Sequence, residues 1–173
     1  YEALLRKALD DAGYPQVPII TNDDVDFHNV HPGFKMNVRS ALKVAFTLPM
    51  IDALEELLRK MRPYETGPGC ADRAFNEALD LLMEGLRGKS LRSLKRGFSQ
   101  AIDVMKKVPY DRTHRKPQVL IVGEYLLNFH PGANHDVELY LERNGLEVIE
   151  ARMTDVIRKT YFYQDAQSRE FHV

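Results

Sequence analysis

The stretch Pro117–Gly123 constrains this chain most tightly: Val119, Leu120, Ile121 and Val122 form an unbroken apolar run between Pro117 and Gly123. Successive side chains of a strand point to opposite faces, so a run without polar alternation leaves neither face suited to water. It predicts a strand inside a parallel sheet covered on both sides. Residues 134–144 then read as a helix, with Val137, Tyr140 and Leu141 inward and Asn144 and Gly145 as its stop, and Leu146–Ile149 reads as a second strand. Strand, helix and strand with short joints make a βαβ unit over 117–150, a connection that is right-handed in nearly all known cases. A third strand is expected over Val17–Thr21, where Pro18 cannot donate to a ladder and favours an edge or a strand start.

The middle of the chain has a different period. Leu42, Phe46, Met50, Leu54, Leu57, Leu58 and Met61 recur at helical spacing within residues 34–61, and Pro49 predicts two helical pieces rather than one. Breakers crowd residues 62–69, which must be a loop. Helix resumes near Ala71, with Phe75, Leu79, Leu82 and Leu86 on one face and Gly88 to close it. Another helix follows from Ser90 to Lys107, its stripe being Leu91, Leu94, Phe98, Ile102 and Met105, with Ser90 as N-cap. Residues 34–107 thus form a helical insertion between strands. The N-terminal helix, Glu2–Ala12, carries Leu4, Leu5, Ala8, Leu9 and Ala12 on one face and ends at Gly13. Residues 152–159 fit a short helix, and Tyr161–Tyr163 a further element. Together these elements predict an α/β fold, a parallel, doubly wound, Rossmann-like sheet with a helical insertion, as one domain over residues 1–173 or a fragment of a larger protein.

Composition narrows the function classes. With 44% hydrophobic and 28% charged residues among 173, the chain resembles an ordinary soluble domain with one core. No apolar run approaches the roughly 20 residues of a bilayer crossing, so no membrane partner is expected. Residues 1–7 lack the pattern of a secretory signal. Cys70 is the sole cysteine, which excludes an internal disulfide or a multi-cysteine metal cluster and suits a reducing cytoplasm. The net charge of −1 hides an asymmetry. Between Gly85 and Pro117 stand ten basic residues (Arg87, Lys89, Arg92, Lys95, Arg96, Lys106, Lys107, Arg112, Arg115 and Lys116) against Asp103 and Asp111. Such a segment attracts phosphates or an acidic partner. Aromatic residues do not interleave with the charges, so no nucleic-acid partner is expected.

The residues that could carry chemistry lie mainly between Gly123 and Asn134, the loop expected to leave the first βαβ strand. In open α/β sheets ligands bind where strand ends and helix N-termini converge. Gly123, Glu124, Asn128, His130 and Asn134 are the contact candidates. The glycine spacing of a dinucleotide loop or P-loop is absent, and Asp136 and Glu138 would repel a phosphate. His28, His31, His130 and His135 could share a rim, but no helical histidine pair supports a metal site. Cys70 precedes a helix without an evident base partner. Arg62, Tyr64 and Glu65 could meet a subunit or an acidic ligand. Otherwise Arg62 covers the end of the preceding helix while Pro63 terminates it.

Several of these segments resemble a known family: residues 17–20, His31–Lys35, Met61–Glu65 and, above all, Val119–Glu124 followed by Asn128–Asn134 are similar to the 2-hydroxyacyl-CoA dehydratase and benzoyl-CoA reductase family. The likeness spans almost the whole chain and is narrower to the members associated with, or fused to, the activator of (R)-2-hydroxyglutaryl-CoA dehydratase. It implies an anaerobic CoA-thioester system, in which an ATP-driven iron-sulfur activator passes one electron to a dehydratase or reductase whose cluster binds the thioester. It also implies doubly wound α/β domains with the cluster between them. The chain departs from the catalytic pattern, since cluster-binding subunits use several cysteines and the activator's phosphate loops are missing. Cluster and ATP therefore belong to the full system, and no cofactor or complete active site is expected within this chain.

Two functions follow from the likeness. In the first, the chain contacts a CoA thioester or the cluster-bearing dehydratase domain through Gly123–Asn134. In the second, it is a non-catalytic module that docks the activator or assembles a homo-oligomer through the basic segment and Arg62. A free-standing flavodoxin-type binder is a third, weaker reading.

Overall fold

A computed structural model describes residues 2–19, 37–159 and 162. Contacts divide the chain into two compact units, residues 1–42 and 43–173. In the first, α1 (Glu2–Asp11) ends where Gly13 takes φ +82° and the Tyr14 N–H reaches back to Leu9 O at 2.8 Å. None of its residues is buried, and Leu4 and Leu5 are exposed. The strand expected at residues 17–21 is not formed at Val17–Ile19, its described part. Pro18 removes one donor there, and Arg6 binds Val17 O at 3.1 Å, so a side chain takes that carbonyl instead of a ladder. The rest of that segment, with His28, His31 and the loop around them, lies outside the described residues, as do Tyr161 and Tyr163.

The second unit is built on helices. A single helix, α2 (Val38–Met61), of which residues 43–61 belong to this unit, runs through Pro49, correcting the expected break into two pieces. Proline removes one i to i−4 hydrogen bond. Here it does so next to the exposed turn Val44–Phe46, where water can take the freed carbonyl, while Leu54, Leu58 and Met61 are buried beyond it. A 3-10 turn, Arg62–Tyr64, and a short loop lead to α3 (Cys70–Arg87). After a three-residue turn, α4 (Leu91–Met105) returns along α3.

Ser90 caps α4 by accepting from the Ser93 N–H at 3.2 Å. The two helices touch at Gly85 and Gly97, where a Cβ on Gly97 would lie 2.5 Å from Leu81 O. Leu54, Leu82, Leu94 and Met105 are the largest fully buried side chains of this core, and burying each contributes roughly 1.5–3 kcal/mol. The helical stripes mark that core, but not at every position. Leu42, Phe46 and Leu91 are exposed, while Gly97 and Ala101 are buried in the α3/α4 contact.

Residues 106–117 cross from the helices to a small sheet. Their path is fixed by a Glu65–Tyr110 bridge and by the Asp111 N–H donating to Tyr64 O at 2.8 Å. The strands β1 (Gln118–Leu120) and β2 (Glu147–Ile149) pair in parallel, with Val119 opposite Val148. Three short helices, α5 (Tyr125–Phe129), α6 (Pro131–Asn134) and α7 (Val137–Arg143), connect them.

The single helix expected over 134–144 is therefore broken. His135 and Asp136 both take positive φ, 56° and 53°, so the chain turns before α7 starts. The segment expected as a loop after β1 instead holds two helical turns, because Glu124 and His130 each supply an N-cap and Pro131 starts α6. The described fold is mostly helical with a two-strand parallel sheet, a mixed α/β arrangement. A helix over residues 153–159 follows β2, and buried Asp52 caps it by accepting from the Met153 and Thr154 N–H groups at 3.0 and 2.9 Å. Among the described residues, no helix is long and apolar enough to cross a membrane.

Candidate functional site

Two arginines at the end of α2 organise the most polar part of the molecule. Arg59 is in the last turn of α2 and Arg62 in the 3-10 turn, three residues on, so their side chains leave the same side. Glu138 and Glu142, one turn apart on α7, face them. Arg59 donates to Glu138 at 3.2 Å, approaches Glu55 at 3.5 Å and pairs with Glu150 just after β2. Arg62 donates to Glu142 at 3.0 Å and to Asp72 at 3.2 Å, and also pairs with Glu138.

Acids outnumber arginines in this network, and its carboxylates feel it. Burial lifts Glu142 above the usual carboxylate range despite Arg62, with Glu138 and Asp72 adding to the rise. Burial also lifts Glu55 and Glu150 despite Arg59. For Arg62, burial works against the charge, but hydrogen bonding and charge from Glu142, then Glu138, prevail and hold its proton more firmly.

A cleft of about 230 Å³ opens beside the network. Its polar lining includes Arg59, Arg62, Glu138, Glu150, Asn128 and Asn134, and Phe75, Phe129 and Leu139 are among its apolar residues. The Asn134 amide donates to Leu127 O at 3.0 Å, and its Oδ1 is buried without a partner among the described residues. Asn134 therefore does not cap the helix that follows. It ends α6 and turns a free acceptor inward.

The structure brings three of the sequence candidates, Arg62, Asn128 and Asn134, to one cleft, and places the others elsewhere. Gly123 backs Asn128, since a Cβ there would come within 3.2 Å of Asn128 Oδ1. Glu124 is exposed and caps α5 through the Leu126 N–H at 2.9 Å. His130 is exposed and caps α6, its Nδ1 accepting from the Ala133 N–H at 3.2 Å. Glu65 is the N-terminal anchor of α3, accepting from the Gly69 and Ala71 N–H groups at 2.6 and 2.8 Å. Although burial opposes it, these bonds hold Glu65 below the usual range.

Tyr64 belongs to a second polar node. Its hydroxyl donates to Glu147 at 2.8 Å and accepts from the Lys116 N–H at 2.9 Å. Glu147, 2% exposed, also receives Arg112 at 2.7 Å and Gln118 at 3.0 Å. Burial opposes its charge, but the bonds from Tyr64, Gln118 and Arg112 outweigh burial and hold it below the usual range. This node fastens the 106–117 crossing to the sheet.

The arginine–glutamate network has no local signature in the sequence, because the partners of its arginines on α7 and after β2 lie 76 to 91 residues away. Its trace is the pairing of two spacings, arginines three apart and glutamates four apart.

The residues do not fit an iron-sulfur cluster. Cys70 is the only cysteine, its sulfur lies 3.4 Å from Glu65 Oε2, and among the described residues no three His, Cys, Asp or Glu side chains stand together as a metal-binding group. Set against protein-family models, curated proteins and solved structures, the chain matches none of them.

Proposed function

We propose that the chain is a domain of a 2-hydroxyacyl-CoA dehydratase-like or activator-associated protein, and that its cleft contacts the cluster-bearing domain of that system. One observation carries the reading: Asn128 and Asn134, from the segment after β1, meet Arg62 from the helical layer at one polar cleft. A contact surface of this kind needs polar side chains at its rim, and Asn134, whose amide is held by Leu127 O, is one of those that line the cleft. In this reading β1 and β2 belong to a doubly wound parallel sheet. Leu120 and Val122 are 58% and 76% exposed, whereas the strands of such a sheet are ordinarily covered on both faces, so this reading requires a neighbouring element to cover them.

Charge favours a protein contact over the nucleotide end of CoA. Glu55, Asp136, Glu138 and Glu150 line the cleft against Arg59 and Arg62, and both arginines are already committed to carboxylates. A phosphate would meet net repulsion there.

Calorimetry with the cluster-bearing subunit of a 2-hydroxyacyl-CoA dehydratase, and separately with an acyl-CoA, tests the proposal. The subunit should bind, and Asn134→Ala should weaken it about tenfold, as for an anchoring contact. Absence of association, or an affinity unchanged in the variant, would overturn it. Tight acyl-CoA binding lost in the same variant would replace the protein partner by the thioester.

A further inference from the structure

The turn between α3 and α4 presents five cations in ten residues, Arg87, Lys89, Arg92, Lys95 and Arg96, with no carboxylate among residues 87–96. All five are exposed, and no ion pair involves them among the described residues. Lys107 and Arg115 are exposed as well, but two other cations of the basic segment are engaged within the fold. Arg112 is paired with Glu147, and the Lys116 ammonium is bonded to Pro63 O.

Arg87 is in the last turn of α3, where a cation is favoured, but Arg92, Lys95 and Arg96 sit at the start of α4, where physical chemistry disfavours them. The first turn of α4 holds no acid, although a helix N-terminus carries partial positive charge that acids ordinarily answer. Arg92 and Arg96 are one turn apart, a spacing at which like charges repel. Lys43 adds a sixth cation by donating to Leu86 O at 2.8 Å and also to Gly88 O.

The backbone beneath is nonetheless fixed. Ser93 Oγ donates to Gly85 O at 3.0 Å, Gly88 N–H donates to Glu84 O at 3.2 Å, and Gly85 and Gly97 lock the helices together. Concentrated charge on a rigid hairpin, unrelieved from within, is a pre-organised surface for an anion.

From this we infer that the α3/α4 hairpin docks an acidic segment of a protein partner. Exposed Leu91 and Met83 give aliphatic contact next to the charges. Base stacking would require exposed aromatics, and Phe98 packs against the core. The surface is separate from the cleft and does not depend on the reading given above.

The test is fluorescence anisotropy of the full chain with two labelled probes of equal net charge, a glutamate- and leucine-rich peptide and a single-stranded oligonucleotide. The peptide should bind more tightly, and the binding should weaken as salt rises. Reversal of Arg92, Lys95 and Arg96 to Glu should lower its affinity at least about tenfold, whereas Lys106→Glu with Lys107→Glu should change it less than about twofold. The triple Gln variant should melt higher than the parent, because repulsion is removed.

Equal losses in the two reversal variants, no peptide binding, or tighter oligonucleotide binding would overturn the inference. A lower melting temperature for the Gln variant would remove its premise of unrelieved charge.

Discussion

Replacing Arg62 with Met keeps the aliphatic stem and removes the charge, and the structure fixes what that exposes. Arg62 is 12% exposed and its partner Glu142 5%. Removing one member of a buried pair costs about 3–5 kcal/mol, because the other charge remains desolvated. The lower end applies here. Glu138 keeps Arg59 at 3.2 Å, and Asp72, 49% exposed, contributes less than about 1 kcal/mol. Only Glu142 is stranded, so a loss of about 3 kcal/mol is expected near neutral pH.

That loss depends on pH. The pKa of Glu142 in the folded protein is already raised by burial, and without Arg62 it rises further above the unfolded value. A carboxyl with a raised folded pKa binds more protons when folded, so its stability contribution falls as pH rises and recovers as pH drops. Lowering the pH from about 7.5 to about 5 should therefore shrink the penalty to roughly 1–2 kcal/mol, the cost of a neutral buried polar group. Urea unfolding followed by circular dichroism at both pH values measures this. Adding Glu142→Gln should restore stability to within about 1 kcal/mol. A penalty equal at the two pH values, or no rescue, would refute the assignment of Arg62 as counter-charge to Glu142.

Two further outcomes rest on other parts of the fold. Glu147→Gln should cost most near neutral pH and flatten the acid limb of the stability curve: the folded pKa of Glu147 is lowered, so its contribution is present above the unfolded value of 4.5 and is lost as pH falls through the folded value. Urea midpoints between about pH 3 and 7 would show it, and an unchanged acid limb would count against the Tyr64 and Arg112 bonds. Gly97→Ala should destabilise by about 2 kcal/mol, although Gly to Ala inside a helix ordinarily stabilises by about 1 kcal/mol. Its new Cβ would press on Leu81 O and Gly85 Cα, at 2.5 and 3.0 Å, and a melting temperature equal to or above the parent's would refute that clash.

How much of this was legible depends on how local each signal is. The α3/α4 hairpin could be read because its stripe, its Gly88 stop and its Ser90 cap all act within a few residues. Pro49 misled the reading of α2, since one missing bond costs less than the burial that the helix gains from Met50 to Met61. The break at His135 and Asp136 was hidden because their positive φ is carried by non-glycine residues, which give no warning. At the candidate site, Asn128 and Asn134 were found by position after a strand, and Arg62 by its place at a helix end. The glutamates that neutralise Arg62 come from α7, and only folding brings that pairing about.

The same neutralisation divides the work of the molecule's cations. Arg59, Arg62 and Arg112 have carboxylates within 3.5 Å and hold α2, α7 and the sheet together, so their loss is felt as stability. Arg92, Lys95 and Arg96 have no such partner among the described residues, so their loss should leave the fold intact or improve it. A basic count over residues 85–117 cannot separate the two groups, because it ignores where the acids of α7 and β2 come to lie. Salt distinguishes them: screening relieves the exposed hairpin charges first, and it reaches the buried pairs only weakly.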